Sequence, residues 1–522
     1  MAASESVAVL MPISALGIYI HAFFLSLSLG LPLVIGALLY KWWRSGDEDC
    51  FRLAKMTTAV LALNFTLGAI TGTLVEFGLV QGWPGSIFVI ATFGLVPLSL
   101  ELVAFAAEIV FLLWFVISLG KVKPKYSLAL ICIYFVFAAI SGVLITAVNS
   151  WLNVPWGTGG VASSIYPFLP EYGPTVVDPQ AFFKVKLALI NGILAQGYPA
   201  QIIQDPNVAR SIGLTLTDPS VALSSPYALA SAIHNVTAGT IVGVTIALAS
   251  FGYKFCRTGS QKYYKAIRVI LPLLLIMVVL QPTLFGDMMG KAVATYDPTK
   301  FALMEGAKND VVNPILGFLS YGDPNHPILG FATFRNLTES LRGTTLGQLA
   351  WTVVPGYDPG AAGSLDLAAV SLTDLTRAES NMSFVNLAYY IKIVWGVVDL
   401  VSVLMLTVLV FNLPLLSRSI RRRLEPFGKR RVVMLFCVML AIASISASSL
   451  GWAVREVGRK PWTVYGLIHP EDVVTPVPLD ATVMVAFVGV FVTMAIAGVY
   501  GMYVLAVRPS RFGRSSGKRE GS

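Results

Sequence analysis

The sequence predicts an all-α polytopic membrane protein with about nine transmembrane helices, its N-terminus outside and its C-terminus cytoplasmic. Hydrophobic residues make up 56% of the 522 residues and charged residues only 12%. Nine apolar segments are each long enough to cross a hydrocarbon core of roughly 30 Å as a helix. The predicted spans are about 14–40, 57–81, 88–119, 127–150, 227–252, 266–284, 386–412, 432–453 and 480–507.

The basic residues predict the orientation of these spans. No Lys or Arg precedes Lys41, whereas four lie in 41–55, three in 121–125, five in 254–268, seven in 418–431 and five in 508–519. These segments all fall on one side of the membrane, which the positive-inside rule assigns to the cytoplasm. The net charge of +9 therefore reflects topology, and we predict no nucleic-acid partner.

Two segments on the predicted outer side are too long to be turns. Residues 151–226 form an extracytoplasmic insertion between spans 4 and 5, and residues 285–385 form a loop between spans 6 and 7. Loops of this length in a compact protein are usually functional or disordered, and the aromatic and aliphatic content of these two favours folded caps. We expect one membrane domain, 1–522, that carries both.

Ionisable groups inside spans are costly in hydrocarbon and tend to be functional. Those at similar depth near the outer side are His21, His234, Lys392 and Glu456, and acidic residues in spans 2 and 3 are Glu76, Glu101 and Glu108. A single His can be just a partner in a helix-to-helix hydrogen bond, and a membrane Glu can be a protonated packing residue. Imidazole at this depth suits haem iron, and stacked carboxylates suit a proton path. From residue types alone, a proton-coupled transporter fits nearly as well as a haem protein.

Motifs around these residues are more specific. His21 lies in IYIHAFFLSLSLG, Glu76 ends NFTLGAITGTLVEF, Glu101 and Glu108 lie in PLSLELVAFAAE, and Ser141 precedes Asn149 and Trp151 of VNSWLNVP. His234 lies in SAIHNVTAGTIVG, Lys300 and Glu305 in FGDMMGKAVATYDPTKFALMEG, and Trp452, Glu456 and Arg459 in GWAVREVGRKPW. From the first span to the last, these motifs resemble subunit I of the cytochrome bd quinol oxidases. The last motif is the most specific match.

The resemblance implies a set of roles. His21 and Glu456 would ligate high-spin haems, with Trp452 and Arg459 as haem neighbours, and His234 would ligate a low-spin haem b. The oxygen-binding haem would be haem d or a b-type replacement, held by either His21 or Glu456. Quinol would bind near Lys300 and Glu305 and oxygen would be reduced to water, while cytoplasmic protons pass through Glu108, Ser141 and Glu101. The implied setting is a prokaryotic plasma membrane, with a related subunit II as partner and small single-span subunits as an option.

The chain departs from the family's pattern at the low-spin haem. The family's F-R-I-M-V-G stretch reads IKIVWG here, so Lys392 replaces the Arg and Val394 stands at the Met ligand. Met405 lies about three turns further in. Three alternatives follow: another residue ligates the iron, with Lys392 a candidate if deprotonated; the iron is five-coordinate; or the haem is missing. The spacing of Glu101 and Glu108 is also one residue shorter than the family's.

Three functions therefore compete. The favoured one is the catalytic subunit of a quinol oxidase. The second is a haem-poor, subunit I-like paralogue with a structural or electron-relay role, against which the retained Lys300, Glu305 and Glu456 argue. The third is a proton-coupled transporter, which would be expected to show an internal repeat. The two halves of this sequence show none.

Overall fold

The spanning helices form one bundle. The computed structural model describes residues 3–180, 182–183, 186, 218–353, 356, 360–414, 428–475 and 481–507. Within these residues, nine helices are long and apolar enough to cross a membrane, which confirms the predicted fold class. They are α1 Ala3–Ser45, α2 Glu48–Gly82, α3 Pro84–Ser118, α4 Pro124–Asn153, α5 Pro226–Thr258, α6 Gln261–Tyr296, α7 Met382–Phe411, α8 Lys429–Val457 and α9 Ala481–Val507.

Two helices extend well beyond the spans expected from hydropathy. Helix α1 begins at Ala3, about three turns before the predicted span, so His21 lies deeper along its helix than expected. Helix α6 passes through a π-helical turn at Gln281–Phe285 and continues as Gly286–Tyr296, where a loop was expected. This extension is amphipathic and buries Ala292, Val293 and Ala294, so tertiary packing sustains the helix after its apolar run ends.

Close helix crossings depend on small residues at the interfaces. A Cβ atom added to Gly30 of α1 would lie 2.5 Å from the backbone of Gly243 in α5, closer than any real contact. A side chain at either position would force the two helices apart. This crossing keeps α1 against α5, and α5 packs in turn against α8 and α4. The helices that carry His21, His234 and Glu456 are therefore neighbours.

One end of the bundle carries a folded cap, which we define as residues 151–180, 298–381 and 458–475. Its helical segments are Pro298–Glu305, Pro314–Tyr321, Phe331–Glu339, Leu346–Val353, Gly360–Ser364, Leu367–Glu379 and Pro470–Asp472. Trp151, Tyr166, Tyr172, Trp462 and Tyr465 are fully buried in its core. A short helix, Val221–Ser224, leads into α5. Residues 187–217 of the expected insertion lie outside the described residues.

Buried polar contacts join the three parts of the cap. Tyr166 donates a hydrogen bond to Asp374 and accepts one from Trp462 Nε1 at 3.1 Å. Nε2 of His469 lies 2.9 Å from Asp374 Oδ2. Lys186 Nζ lies 2.8 Å from Nδ1 of the same imidazole. Since buried polar groups are costly unless they are paired, this network stabilises the cap over the end of the bundle.

Candidate functional site

A cluster of charged and amide side chains, the Glu456 cluster, lies where α8 meets the cap. It comprises Asn149, Arg455, Glu456 and Arg459. The Arg459 Nη2 atom donates to Glu456 Oε2 at 2.7 Å, and Asn149 Nδ2 donates to Glu456 Oε1 at 3.2 Å. Glu456 was expected just beyond the eighth span, but it belongs to the last turn of α8, which runs on to Val457. The extra turn forms because Val454 and Arg455 are buried against the bundle.

The arginines of the Glu456 cluster have unused hydrogen-bonding capacity. In the described part of the chain, Nε and Nη1 of Arg459 and Nε of Arg455 are buried and lack a hydrogen-bond partner. Buried donors are rarely left unpaired, because each costs about 1–3 kcal/mol or more when charged. Burial, together with the positive charge of Arg459, also lowers the pKa of Lys460 to about 8. The cluster therefore fits an anionic group, such as a haem propionate, beside the Glu456 carboxylate.

A chain of hydrogen bonds connects Glu456 to Lys300. Asn149 donates to Glu456, Asn153 Nδ2 lies 3.3 Å from Asn149 Oδ1, and Lys300 Nζ donates to Asn153 Oδ1 at 2.6 Å. Lys300 also forms a buried ion pair with Asp297, whose side chain caps the helix Pro298–Glu305 by accepting from the Lys300 N–H. Burial lowers the pKa of Lys300 and raises that of Asp297. The Lys300 ammonium is thus bound by two protein partners, the Asp297 carboxylate and the Asn153 side-chain oxygen.

Glu305 has a different environment from Lys300. The two residues are five apart on one short helix and so point in different directions. Glu305 Oε2 accepts a hydrogen bond from the Tyr390 hydroxyl at 3.1 Å. Glu305 Oε1 is buried and, among the described residues, has no partner. Burial raises the pKa of Glu305. Of the two residues predicted to lie near quinol, Lys300 and Glu305, only Glu305 has a side-chain atom, Oε1, that lacks a partner among the described residues.

The surroundings of His21 fix its tautomer. The Thr71 hydroxyl donates to backbone carbonyls of α2, at 2.9 Å from Leu67 O and 3.0 Å from Gly68 O. Its oxygen therefore accepts from Nδ1–H of His21, 3.3 Å away, which leaves Nε2 with a free lone pair. The ring lies against Gly72, where a Cβ atom would come within 2.9 Å of it. Iron ligation through Nε2 needs this tautomer and a fixed ring.

His234 contacts Gln281, the first residue of the π-helical turn in α6. Gln281 Nε2 lies 3.2 Å from Nδ1 of His234 and 3.0 Å from its carbonyl oxygen. Gln281 Oε1 is buried and without a partner among the described residues. Because the Gln281 NH₂ group donates to the carbonyl oxygen, it also makes Nδ1 the acceptor, and the proton of a neutral His234 imidazole lies on Nε2. Ligation of iron through Nε2 would require the other tautomer.

Helix α7 brings Lys392, two residues before the position of the family's Met ligand, close to His234. Lys392 packs against Gly451 of α8, with its Cε atom 3.6 Å from where a Cβ atom would stand. It is near enough to His234 for its charge to act on the imidazole. Val394, in contrast, is 60% exposed. The structure thus brings Lys392 into the neighbourhood of His234 and turns Val394 away from the packed interior.

Glu101, Glu108 and Ser141, which we call the glutamate cluster, lie between α3 and α4. The Ser141 hydroxyl donates to Glu101 Oε1 at 2.9 Å, and it is close enough to Glu108 to interact with that carboxyl as well. Glu108 is only 5% exposed. One hydroxyl thus lies between two carboxyl groups that are two turns apart on α3.

Several polar residues of the site were not predicted from the sequence. They are Thr71, Gln281, Asp297, Tyr390, Asp399 and Arg455. Asp297 precedes a Pro and an α-helical run, which is an N-cap signal. Asp399 is an acidic residue within a span, so the expectation that such residues are functional, applied above to Glu101 and Glu108, covers it as well. The others are recognisable only by what they contact.

The described residues contain no group of three or more His, Cys, Asp or Glu side chains that could hold a metal ion. Haem iron needs only one or two protein ligands, so the absence of such a group among these residues does not bear on haem. The fold and the site together define a multi-pass membrane protein with a cluster of buried arginines where α8 meets the cap and two carboxyl groups joined by a hydroxyl within the bundle.

Comparison with known proteins places the chain in a family. Residues 13–509 match the family model of the cytochrome bd terminal oxidase subunit I, and the chain belongs to that family. It is thus a subunit of a respiratory terminal oxidase, an oxidoreductase class with haem cofactors.

Relatives match over nearly the whole chain. It is 23% identical over 486 residues to the putative cytochrome bd menaquinol oxidase subunit I of Bacillus subtilis (strain 168), covering 92% of each chain. It is 22% identical over 517 residues to the cytochrome bd-II ubiquinol oxidase subunit 1 of Escherichia coli (strain K12), again covering 92% of each. The solved bd oxidase structure from Geobacillus thermodenitrificans superposes with a TM-score of 0.68 at 18% identity, covering 97% of this chain and 99% of that one. That likeness supports the fold.

Proposed function

We propose that this chain is the haem-bearing subunit of a quinol oxidase that oxidises quinol at the cap end and reduces oxygen to water. The observation that carries the proposal is the Glu456 cluster, where buried guanidinium nitrogens of Arg455 and Arg459 have no partner among the described residues, beside a carboxylate. A purely structural subunit would gain nothing from buried N–H donors without partners, because each is costly to desolvate. Haem supplies an iron with open or exchangeable axial positions that carries electrons and binds oxygen.

In this proposal, three side chains offer the axial ligands. Nε2 of His21 and the Glu456 carboxylate would hold the high-spin haems, and Nε2 of His234 would hold the low-spin haem. An anionic oxygen donor such as Glu456 favours ferric iron, and Arg459 limits that carboxylate's charge through its 2.7 Å hydrogen bond. Lys392 is the candidate for the second low-spin ligand. Trp452, whose ring lies 5.3 Å from the Arg455 guanidinium, would neighbour the haem at Glu456.

Quinol would bind against Glu305 at the cap end. Glu305 Oε1 has no protein partner in the described residues, so it can accept a proton from a quinol hydroxyl while Tyr390 holds Oε2. Lys300 contributes by fixing the helix Pro298–Glu305 through Asp297 and Asn153. If the cap faces outward, as the basic residues predict, the quinol protons leave on the outer side.

Protons for oxygen reduction would come from the cytoplasmic side through the glutamate cluster. Ser141 can accept a hydrogen from one carboxyl and donate its own to the other, since it lies against Glu101 and near Glu108. Turnover would then build a proton gradient without a pump, in the plasma membrane of a prokaryote. A related subunit II would complete the oxidase, and the haem type, d or a b-type replacement, would be set in the assembled complex.

Haem content of ligand variants tests the proposal. We expect His21→Ala, His234→Ala and Glu456→Gln each to lose haem from the purified complex, because each removes a ligand proposed for that iron. Glu339→Gln is the matched control, since Glu339 is exposed and pairs with Arg342 in the cap. Equal haem content in all four variants would contradict the ligand assignment, and a haem-free wild-type complex would favour the haem-poor paralogue.

A further inference from the structure

Asp399 is a buried acid that the proposed mechanism does not use. It lies on α7, seventeen residues from Met382 and twelve from Phe411, which places it near the middle of the span. Only 7% of the residue is exposed. Ionisable groups at such depth are costly and are retained mainly where they have a function.

The hydrogen-bonding partner of Asp399 is Ser444 of α8. The Ser444 Oγ atom lies 3.0 Å from Oδ1 and 3.1 Å from Oδ2 of the carboxyl group. In the described part of the chain, this hydroxyl is the hydrogen-bond partner found for Asp399, and no ion pair to Asp399 is found. An ionised carboxylate here would therefore have a single neutral donor to compensate for its lost hydration, which is far too little.

Both contacts of the Ser444 hydroxyl can be satisfied at once when Asp399 is neutral. The Ser444 hydroxyl also lies 2.8 Å from the carbonyl oxygen of Leu440, one turn back along α8. A hydroxyl has one hydrogen to donate and two lone pairs. When that hydrogen bonds to the Leu440 carbonyl, the Asp399–Ser444 contact needs a hydrogen from Asp399, which then must be a carboxylic acid. Both contacts are satisfied together in that form.

Polar and apolar residues both adjoin the pair along α7 and α8. Towards the end of the bundle opposite the cap, the two helices meet through fully buried apolar side chains, including Leu406 and Leu440. Ser402 of α7, one turn from Asp399 on that side, is also buried. Towards the cap end, Ser448 follows Ser444 by one turn, and the same row of four-residue steps reaches Glu456. On α7, Lys392 is about 10 Å from Asp399 along the axis.

We propose that Asp399 and Ser444 form a proton-binding site within the bundle, separate from the glutamate cluster on α3 and α4. This inference rests on the proposed function, which supplies the demand for protons. When the Asp399 carboxyl releases its proton to solvent, the Ser444 hydroxyl turns its hydrogen from the Leu440 carbonyl to the carboxylate, 3.0 Å away. When a proton from solvent returns to the carboxylate, the hydroxyl turns back, so the charge of the pair changes by one unit in each direction and no electron is involved.

Infrared spectroscopy of the purified complex tests the protonation state. We expect a carbonyl-stretch band of a protonated carboxylic acid that shifts in D₂O and disappears in Asp399→Asn. The band should move in Ser444→Ala, which removes the hydrogen bond, and persist in Glu108→Gln, which removes a buried acid of the glutamate cluster. Asn matches the shape of a neutral Asp, so the first variant should fold. An unchanged spectrum in Asp399→Asn would show that Asp399 is ionised and overturn the proposal.

A second measurement tests whether the proton is exchanged in function. We expect the Asp399 band to change between the oxidised and reduced complex, and turnover of Asp399→Asn to fall several-fold at unchanged haem content, with Asp399→Glu partly restoring it. If the Asp399 band is the same in the oxidised and the reduced complex and Asp399→Asn keeps full turnover, Asp399 is a structural acid and the proposal is overturned. A haem-free wild-type complex would instead refute the proposed function, so the two failures are distinguishable.

Discussion

Replacing Lys300 by Met separates a structural role for this residue from direct contact with quinol. The Lys300 ammonium pairs with Asp297 and donates to Asn153 Oδ1 at 2.6 Å, and both charged side chains are almost completely buried. Lys300→Met leaves the Asp297 carboxylate buried with its main partner removed. Removing one partner of a buried ion pair typically costs about 3–5 kcal/mol. That is a large part of the roughly 5–15 kcal/mol by which proteins are stable.

The double variant Lys300→Met/Asp297→Asn supplies the control. Since it removes both charges, we expect it to unfold less readily than Lys300→Met alone, with a coupling free energy of about 0.5–3 kcal/mol. The assay is thermal unfolding of the purified complex in detergent, combined with quinol turnover at saturating and limiting quinol. If Lys300 acts by positioning the helix Pro298–Glu305, turnover recovers with stability in the double variant.

Two outcomes would refute this reasoning. Strictly additive effects of Lys300→Met and Asp297→Asn would show that the buried pair carries no coupling. A double variant that regains stability but keeps a strongly raised KM for quinol would show that the Lys300 ammonium contacts the substrate, as the sequence motif first suggested.

Three further predictions concern other parts of the site. Tyr390→Phe removes a hydrogen bond that favours the Glu305 carboxylate, so the pKa of Glu305, already raised by burial, should rise further. The acid limb of the turnover pH profile should then move to higher pH. An acid limb at the same pH would argue against Glu305 as the proton acceptor. Lys392→Ala should convert a low-spin haem spectrum to a high-spin one, and an unaltered spectrum would exclude Lys392 as a ligand. Gly30→Val should sharply lower the yield of folded complex because its Cβ meets the Gly243 backbone, whereas Gly290→Ala, with open space around it, should not.

Much of the fold was predictable because hydrocarbon imposes a simple length and polarity rule on each span. All nine spans were predicted in order, and errors fell at their ends. Helix α6 continues past Phe285 because its amphipathic extension packs on neighbouring elements, a tertiary effect that a hydropathy window does not register. The early start of α1 at Ala3 is a similar case. Helix ends are decided by packing and capping as much as by the bilayer.

The site was predictable where a residue type is rare in its setting. His21, His234 and Glu456 were recognisable because ionisable groups inside spans are few. Their partners were not, since Thr71 and Gln281 belong to common residue types whose role depends on contacts across helices. The same limit applied to Lys300, because the sequence pairs it with Glu305 in a motif while the fold pairs it with Asp297.

The most direct test of the proposed oxidase function is a reduced-minus-oxidised optical spectrum of the purified complex, with haem extraction to count haems per chain. We predict a low-spin haem b signal from the His234 site together with high-spin haem signals from the His21 and Glu456 sites. High-spin signals alone would mean that His234 has lost its low-spin haem. A complex with no haem at all would contradict the assignment of this chain as the catalytic subunit.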